Sequence, residues 1–368
     1  MIQEKKVAIV HDFLLAFGGA ERVLQSLSEL YPEAPIYTLL ADTGIVKKYF
    51  PKNEIRESFL SSFPGFLKRK HRLLLSFYPT AIEAFDLREF DLIISSSGAW
   101  SKGVVTRLHT RHVAYVHSPM RYAWDGNESY IRTLGFSLLS RCLSRLVLSY
   151  LRIWDKQAAE RPDVLIANSE YTKKRIGKYY RLPSEVVYPS VALIPNDLKF
   201  EKKDYFLMVS RLTEAKKIAV AIEAFNKLEL PLRIVGTGPM RASLQKIAGK
   251  NISFLGCQED VDMPKLYGEA RALVHVAEED FGLAMAESLA SGVPVIAYEM
   301  GGASELVQSG VNGELFFAQT PEILSDGVRR FIANEGKYDR ELMKQNMMRF
   351  SKGVFQEKIL GIIQSVCK

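Results

Sequence analysis

Two carboxylates eight residues apart, Glu279 and Glu287, bracket the start of an apolar stretch. Ahead of them, Ala272–Val276 is a short apolar run that fits a buried strand, and behind them Gly292 and Pro294 close the stretch. Glu279 is then expected in a loop at the strand's carboxyl end, and Glu287 about a turn and a half into the helix that follows. Carboxylates so placed accept hydrogen bonds from vicinal hydroxyls. The amides of Asp280, Phe281, Gly282 and Leu283 at the helix N-terminus suit anionic or polar oxygen ligands. A second pair is cationic: Arg211 follows the apolar run Tyr205–Ser210, and Lys216 stands five residues on, at the expected start of a helix. Two fixed cations at a strand end suit a diphosphate that gains charge as it leaves.

Other positions add to this set. Gly18 and Gly19 have no Cβ, so their backbone can approach a phosphate or sugar closely before the next helix. Gly238, in Gly236-Thr237-Gly238-Pro239, belongs to a strand-to-helix turn that is also a fragment of a nucleotide loop. His117 ends a strand before an X-Pro turn, which places it at a ligand-facing edge. His11 and Asp12, at the end of the first strand, are weaker candidates for such a ligand-facing edge, while His71, His109, His112 and His275 read as structural or surface residues. Asn168-Ser169-Glu170-Tyr171 reads chiefly as a helix cap. Asp260-Val261-Asp262 has the form of a metal-binding DxD, but acids at a helix start explain it.

The elements that must position these residues alternate along the whole chain. Expected strands in the first half are Val7–His11, Ile36–Leu40, Asp91–Ser95, His112–His117 and Val164–Asn168. In the second they are Tyr205–Ser210, Leu232–Val235, Ile252–Leu255, Ala272–Val276 and Val293–Tyr298. Amphipathic stretches such as Glu21–Tyr31 and Ile218–Leu228 lie between them. Strand, helix, strand order with apolar strands implies parallel sheets covered on both faces. There are two such series, so two doubly wound α/β domains are expected, residues 1–190 and 191–349, joined near Pro189 and Pro195.

The 368 residues suit two domains, with 47% hydrophobic and 25% charged residues. Three cysteines without CxxC or CxxH spacing argue against a disulfide framework or a zinc site. The first apolar run is too short for a signal peptide, and no stretch is long enough to span a bilayer, so a cytoplasmic protein is expected. Residues 1–190 carry 27 Lys/Arg against 19 Asp/Glu, and the remainder 22 against 23. This asymmetry points the first half toward an anionic partner. Leu67–Tyr78 and Ser137–Leu148 read either as interfacial helices for an anionic membrane or as core-facing helices with solvated basic faces. No nucleic-acid motif accompanies the charge.

Taken together, the motifs resemble family 4 retaining glycosyltransferases. Glu279 and Glu287 match the E-x7-E motif, Arg211 and Lys216 the R-L-x-x-x-K diphosphate site, and Gly18-Gly19-Ala20-Glu21 the GGxE loop. Gly301-Gly302-Ala303-Ser304-Glu305 and Gly310-Val311-Asn312-Gly313 also look like that family. His117 to Asp125 resembles the H-x-P-x-R-Y-x-W-D segment of its bacterial mannosyltransferase-like members. The resemblance implies a GT-B arrangement, two facing Rossmann-like domains with an interdomain cleft, the last helix (350–368) crossing back to the first domain. It implies catalytic roles for His117, Arg211, Lys216 and Glu279, donor contacts from Gly18, Gly19, Gly238, Asp280, Phe281, Gly282, Leu283 and Glu287, and an acceptor side at Arg121, Trp124 and Asp125. The expected partners are a nucleotide-sugar donor and a lipid-linked or glycan acceptor, with no cofactor and no metal. Rival readings are a non-catalytic nucleotide-sugar-binding scaffold and an epimerase or phosphorylase on the same fold.

Overall fold

The computed structural model describes residues 5–65, 71–125, 138–193 and 200–367. The chain divides into two compact units, Met1–Ser190 with Phe355–Lys368, and Val191–Val354. The first unit holds a seven-stranded parallel sheet ordered β3-β2-β1-β4-β5-β6-β7. Its strands are β1 Val7–His11, β2 Ile36–Thr38, β3 Ile55–Glu57, β4 Leu92–Ser97, β5 Arg111–Val116, β6 Val164–Ala167 and β7 Glu185–Val186. β1 and β4 are buried at every position, as central strands covered on both faces must be.

On one face, the helix Gly19–Ser28 buries Val23, Leu24 and Leu27 against Ile9, Ile36 and Ile94. The C-terminal helix Lys352–Val366 joins this cluster through Phe355, Ile359, Ile362 and Ile363, spaced four, three and one residues apart on one helical face. Each such side chain contributes roughly 1.5–3 kcal/mol of burial. That helix begins two residues later than expected, after a 3₁₀ turn at Met348–Phe350. On the other face, the helix Leu138–Ala159 packs Leu148, Leu151, Trp154 and Ala158 with Trp100 and Tyr78.

The second unit holds a six-stranded parallel sheet ordered β10-β9-β8-β11-β12-β13. The strands are β8 Phe206–Val209, β9 Leu232–Val235, β10 Ile252–Gly256, β11 Leu273–His275, β12 Val295–Tyr298 and β13 Gly313–Phe316. In each sheet one central pair, β1/β4 or β8/β11, joins strands that are not consecutive. Crossovers leave such a pair in opposite directions, which opens a crevice beyond its carboxyl ends. Among the described residues, no helix is long and apolar enough to cross a membrane. The basic cluster of the segment 67–78 falls largely on residues 66–70, which lie outside the described residues.

Candidate functional site

The carboxyl end of β8 delivers the cationic pair. Arg211 lies two residues past the strand, its side chain exposed and without a hydrogen bond or ion pair among the described residues. Lys216 ends the 3₁₀ turn Glu214–Lys216 instead of opening the α-helix as expected. Lys217 takes a left-handed φ of 52°, and the helix Ile218–Leu228 starts after it. From this turn the Lys216 ammonium forms an ion pair with Glu279 Oε1. The two side chains are 17% and 26% exposed, so the pair is largely shielded from water. It joins the two motifs through the neighbouring strands β8 and β11.

β11 ends at His275, 5% exposed, whose Nε2 lies 3.9 Å from Glu279 Oε1. Burial pushes the His275 pKa down to about 4; the Glu279 charge raises it and Lys216 lowers it further. The imidazole is therefore neutral at pH 7. Sequence reading gives His275 no functional place, and the structure puts it beside the carboxylate of the E-x7-E motif.

The loop after His275 is clamped from below. Glu279 bridges to Gly301, and the Gly302 N–H donates to Glu279 O at 2.9 Å. Gly301 has φ 80°, and a Cβ there would lie 2.2 Å from Glu279 O; one on Gly302 would lie 2.3 Å from Phe281 O. Only glycines admit the loop at this distance. Phe281 is buried and packs edge-on against Phe350, 5.6 Å between ring centroids. Asp280, Gly282 and Leu283 are half-buried, and Gly282 opens the helix Leu283–Ala290. Glu287 projects from that helix and accepts a hydrogen bond from Tyr267 at 2.9 Å, a partner that no motif indicates. The turn at Gly238 lies against the end of β8: Leu212 N–H donates to Thr237 O at 2.8 Å, and a Cβ on Gly238 would come 2.4 Å from Leu212 O.

In the first unit, Gly18 caps the helix that begins at Gly19, and Glu21 turns back to accept the Gly18 N–H at 2.8 Å. The other Glu21 oxygen faces His11 Nε2 at 3.4 Å. Burial raises the Glu21 pKa, but the His11 hydrogen bond and charge outweigh it and hold the carboxyl below its usual range. His117 follows β5 directly, half-buried, with Nε2 2.8 Å from Ser96 Oγ.

Asp12 is corrected from a ligand-facing candidate to a backbone clasp. It is 8% exposed and accepts the N–H groups of Gly98, Ala99, Trp100 and Ser101 at 2.7–3.1 Å. The segment after His117 is also internally bonded. The Trp124 indole donates to Asp155 Oδ2 at 2.8 Å, and Arg175 donates to both Asp125 oxygens at 2.7 and 3.0 Å and to Ser118 Oγ at 2.7 Å. Arg121 is half-buried at the head of the short helix Arg121–Trp124. Asn168 holds His117 O at 3.0 Å, and Ser169 Oγ caps the helix Glu170–Tyr179. Asp155 is shared further with Lys102 Nζ at 2.5 Å and Tyr180 OH at 2.7 Å, all three residues being essentially inaccessible. Among the described residues, no group of three His, Cys, Asp or Glu is placed to hold a metal ion.

Residues 17–193 match the family model described as Glycosyltransferase Family 4, and residues 192–348 the model described as Glycosyl transferases group 1. The chain is 26% identical over 219 residues to an uncharacterized glycosyltransferase of Methanocaldococcus jannaschii, covering 57% of this chain and 61% of that one. It is 28% identical over 145 residues to O-antigen chain mannosyltransferase C of Escherichia coli, covering 37% and 39%. The chain thus spans less than two thirds of the length of the curated relatives it matches. Among solved structures, Anabaena HepE in complex with UDP and glucose superposes with a TM-score of 0.71 at 18% identity, covering 98% of this chain and 100% of that one. With two family models running end to end over two doubly wound sheets, the chain belongs to the family 4 glycosyltransferases and has their GT-B fold.

Proposed function

We propose that the protein is a retaining transferase that moves mannose from GDP-mannose to a lipid-linked glycan acceptor in cell-surface polysaccharide or O-antigen assembly. The Lys216–Glu279 ion pair carries the reading, because it brings the diphosphate motif and the sugar motif of one donor site into contact. In this reading Arg211 and Lys216 bind the donor diphosphate and neutralise the charge it gains on leaving. Fixed donors of this kind are worth roughly 3–4 kcal/mol in a transition state. The amides of Asp280–Leu283 hold the sugar hydroxyls, Glu287 accepts the ribose hydroxyls with its rotamer fixed by Tyr267, and Gly238 lies by the nucleotide. His117 hydrogen-bonds the donor sugar, Gly18 and Gly19 approach the donor phosphate, and Arg121, Trp124 and Asp125 shape the acceptor side. The bond from the anomeric carbon to the phosphate oxygen breaks as the acceptor oxygen attacks on the same face, and the acceptor proton passes to the leaving phosphate. No side-chain nucleophile and no metal enters this scheme.

Mannose is chosen on the segment His117–Asp125 and on the mannosyltransferase relative. A panel of GDP-mannose, UDP-glucose, UDP-galactose and a rhamnose donor, read as nucleotide release with a lipid-extract acceptor, tests it. Turnover of GDP-mannose is expected; its absence beside turnover of another donor would reassign the sugar. We also assign the helix Leu138–Ala159 to an anionic membrane surface at the cytoplasmic face. Leu146, Tyr150 and Ile153 stand 69%, 53% and 63% exposed at helical spacing, beside exposed Arg145.

A further inference from the structure

Residues 117–125 follow β5 and lie outside the sheet, so their form depends on what they are tied to. The helix Glu170–Tyr179 and the residues that precede it supply ties at both ends. Asn168 donates to His117 O at 3.0 Å. In the second turn of the helix Arg175, 5% exposed, donates to Ser118 Oγ at 2.7 Å and to the two oxygens of Asp125 at 2.7 and 3.0 Å. At the end of the helix Tyr179 stacks on Trp124, with 4.9 Å between ring centroids. The Ser118 hydroxyl works in both senses: it accepts from Arg175 and donates to Pro119 O at 2.8 Å.

The direction of each of these bonds is fixed by chemistry. A guanidinium only donates, a carboxylate and a carbonyl only accept, and arginine keeps its charge throughout the accessible pH range. The guanidinium is also set in place by its own helix. Tyr171 and Tyr179 stand four residues before and after Arg175 on one helical face, and Arg175 Cζ lies 5.9 and 5.8 Å from their ring centroids. A planar fork so flanked loses little further freedom when it binds. It reaches a hydroxyl and a carboxylate that are seven residues apart in the chain and draws them to one point. A lysine ammonium is a point charge and cannot span both.

We propose that Arg175 is a positioning residue of the transferase: by tying Ser118 to Asp125 it closes residues 117–125 into one loop and sets where His117 and Arg121 meet the sugar substrates. The proposal rests on the assignment of these two side chains to the sugar side of the reaction. It also sharpens the part played by Asp125. That carboxylate is 35% exposed, but both its oxygens are committed to Arg175, so it shapes the acceptor side as the anchor of the loop and not as a base.

The test pairs amide hydrogen exchange on the full chain, which needs no turnover, with steady-state rates of nucleotide release. In Arg175→Lys, residues 117–125 should exchange about tenfold faster while β4 and β5 keep wild-type rates. Its kcat should fall about 10- to 100-fold, as expected when reacting groups are misplaced, with the donor KM changed less than about threefold. Asp125→Asn leaves a neutral acceptor for Arg175 and should lower kcat about fivefold. The double variant should be little slower than Arg175→Lys alone, because both changes break one contact. Unchanged exchange at residues 117–125 in both variants overturns the tie. Faster exchange with kcat within about threefold of wild type leaves Arg175 a structural residue and overturns the positioning role. Asp125→Asn alters a partly exposed side chain, so misfolding of Arg175→Lys does not shield the idea. The two assignments fail differently: a failed tie shows unchanged exchange in an active enzyme, whereas a wrong transferase assignment gives a wild-type chain that turns over no donor while the exchange result stands.

Discussion

Replacing Lys216 by alanine separates its chemical from its structural work. The side chain is 17% exposed and paired with a carboxylate that is 26% exposed. A fully exposed pair is worth about 0–1 kcal/mol, and breaking a fully buried one costs about 3–5 kcal/mol. This pair lies between, so the loss of stability should be on the order of 1–2 kcal/mol. For a unit the size of residues 191–354 that is a fall in Tm of about 3–6 °C. Turnover should respond differently. If the ammonium neutralises a leaving diphosphate, its removal costs about 3–4 kcal/mol in the transition state, or a 10²- to 10³-fold fall in kcat. Initial rates of nucleotide release, measured below the melting range of the variant, give the first number, and a thermal melt gives the second. Glu279→Gln is the companion: it keeps an oxygen facing Lys216 and removes the charge. If Lys216 served only to hold the Glu279 loop, both variants would lose activity in step with stability. A Lys216→Ala enzyme with kcat within about threefold of wild type refutes the assignment.

Three other outcomes are expected. The unfolded imidazole takes a proton below about pH 6.5, but buried His275 does so only below about 4, so between these values the unfolded state binds more protons. Stability is therefore full above about pH 6.5 and declines as pH falls toward 4; burial carries His112, at about 3, the same way. Urea titrations at pH 7 and 4.5 should show His275→Gln losing roughly 2–3 kcal/mol less than wild type over this interval, and equal losses would disprove the effect. Lys102→Met leaves the Asp155 carboxylate uncompensated at 0% exposure and should cost about 3–5 kcal/mol in chemical denaturation, well beyond Lys216→Ala. Gly301→Ala forces a Cβ to within 2.2 Å of Glu279 O at a φ of 80°, so the loop must shift. Calorimetric affinity for the nucleoside diphosphate sugar should fall by about tenfold or more, and unchanged affinity would show that the clamp does not set the site.

What the sequence discloses depends on where each residue finds its partner. β1 and β8 are visible because burial on both faces demands continuous apolar runs. β13 is not visible, because Glu314 stands inside it, 2% exposed, its carboxylate bound by Arg330, Asn334 and Tyr338 from later elements. β3 and β7 are edge strands of three and two residues, too short for any periodicity. The same distinction runs through the site. Gly301 and Gly302 can be noticed as a motif, but the carbonyls that require them, of Glu279 and Phe281, are 22 and 21 residues away in the chain. Asp12 looks like a ligand carboxylate at a strand end until the N–H groups of residues 98–101 are brought to it by β4, its neighbour in the sheet.

The two sheets also place a similar pair in their crevices and divide its charge differently. In each central pair one strand, β1 or β11, ends in a buried histidine facing a glutamate, His11 with Glu21 at 3.4 Å and His275 with Glu279 at 3.9 Å. In the first unit no lysine is paired with Glu21 among the described residues, and its contact with His11 holds that carboxylate below its usual range. In the second, Lys216 takes Glu279, and burial leaves His275 neutral. A similar strand-end placement therefore yields a histidine–carboxylate contact in one unit and a lysine–carboxylate pair in the other. The difference turns on one short 3₁₀ turn, Glu214–Lys216, that carries an ammonium from β8 to the loop after β11. In the proposed donor site, a diphosphate at Arg211 would compete with Glu279 for that ammonium, which would couple donor binding to the ionic environment of His275 through a single side chain.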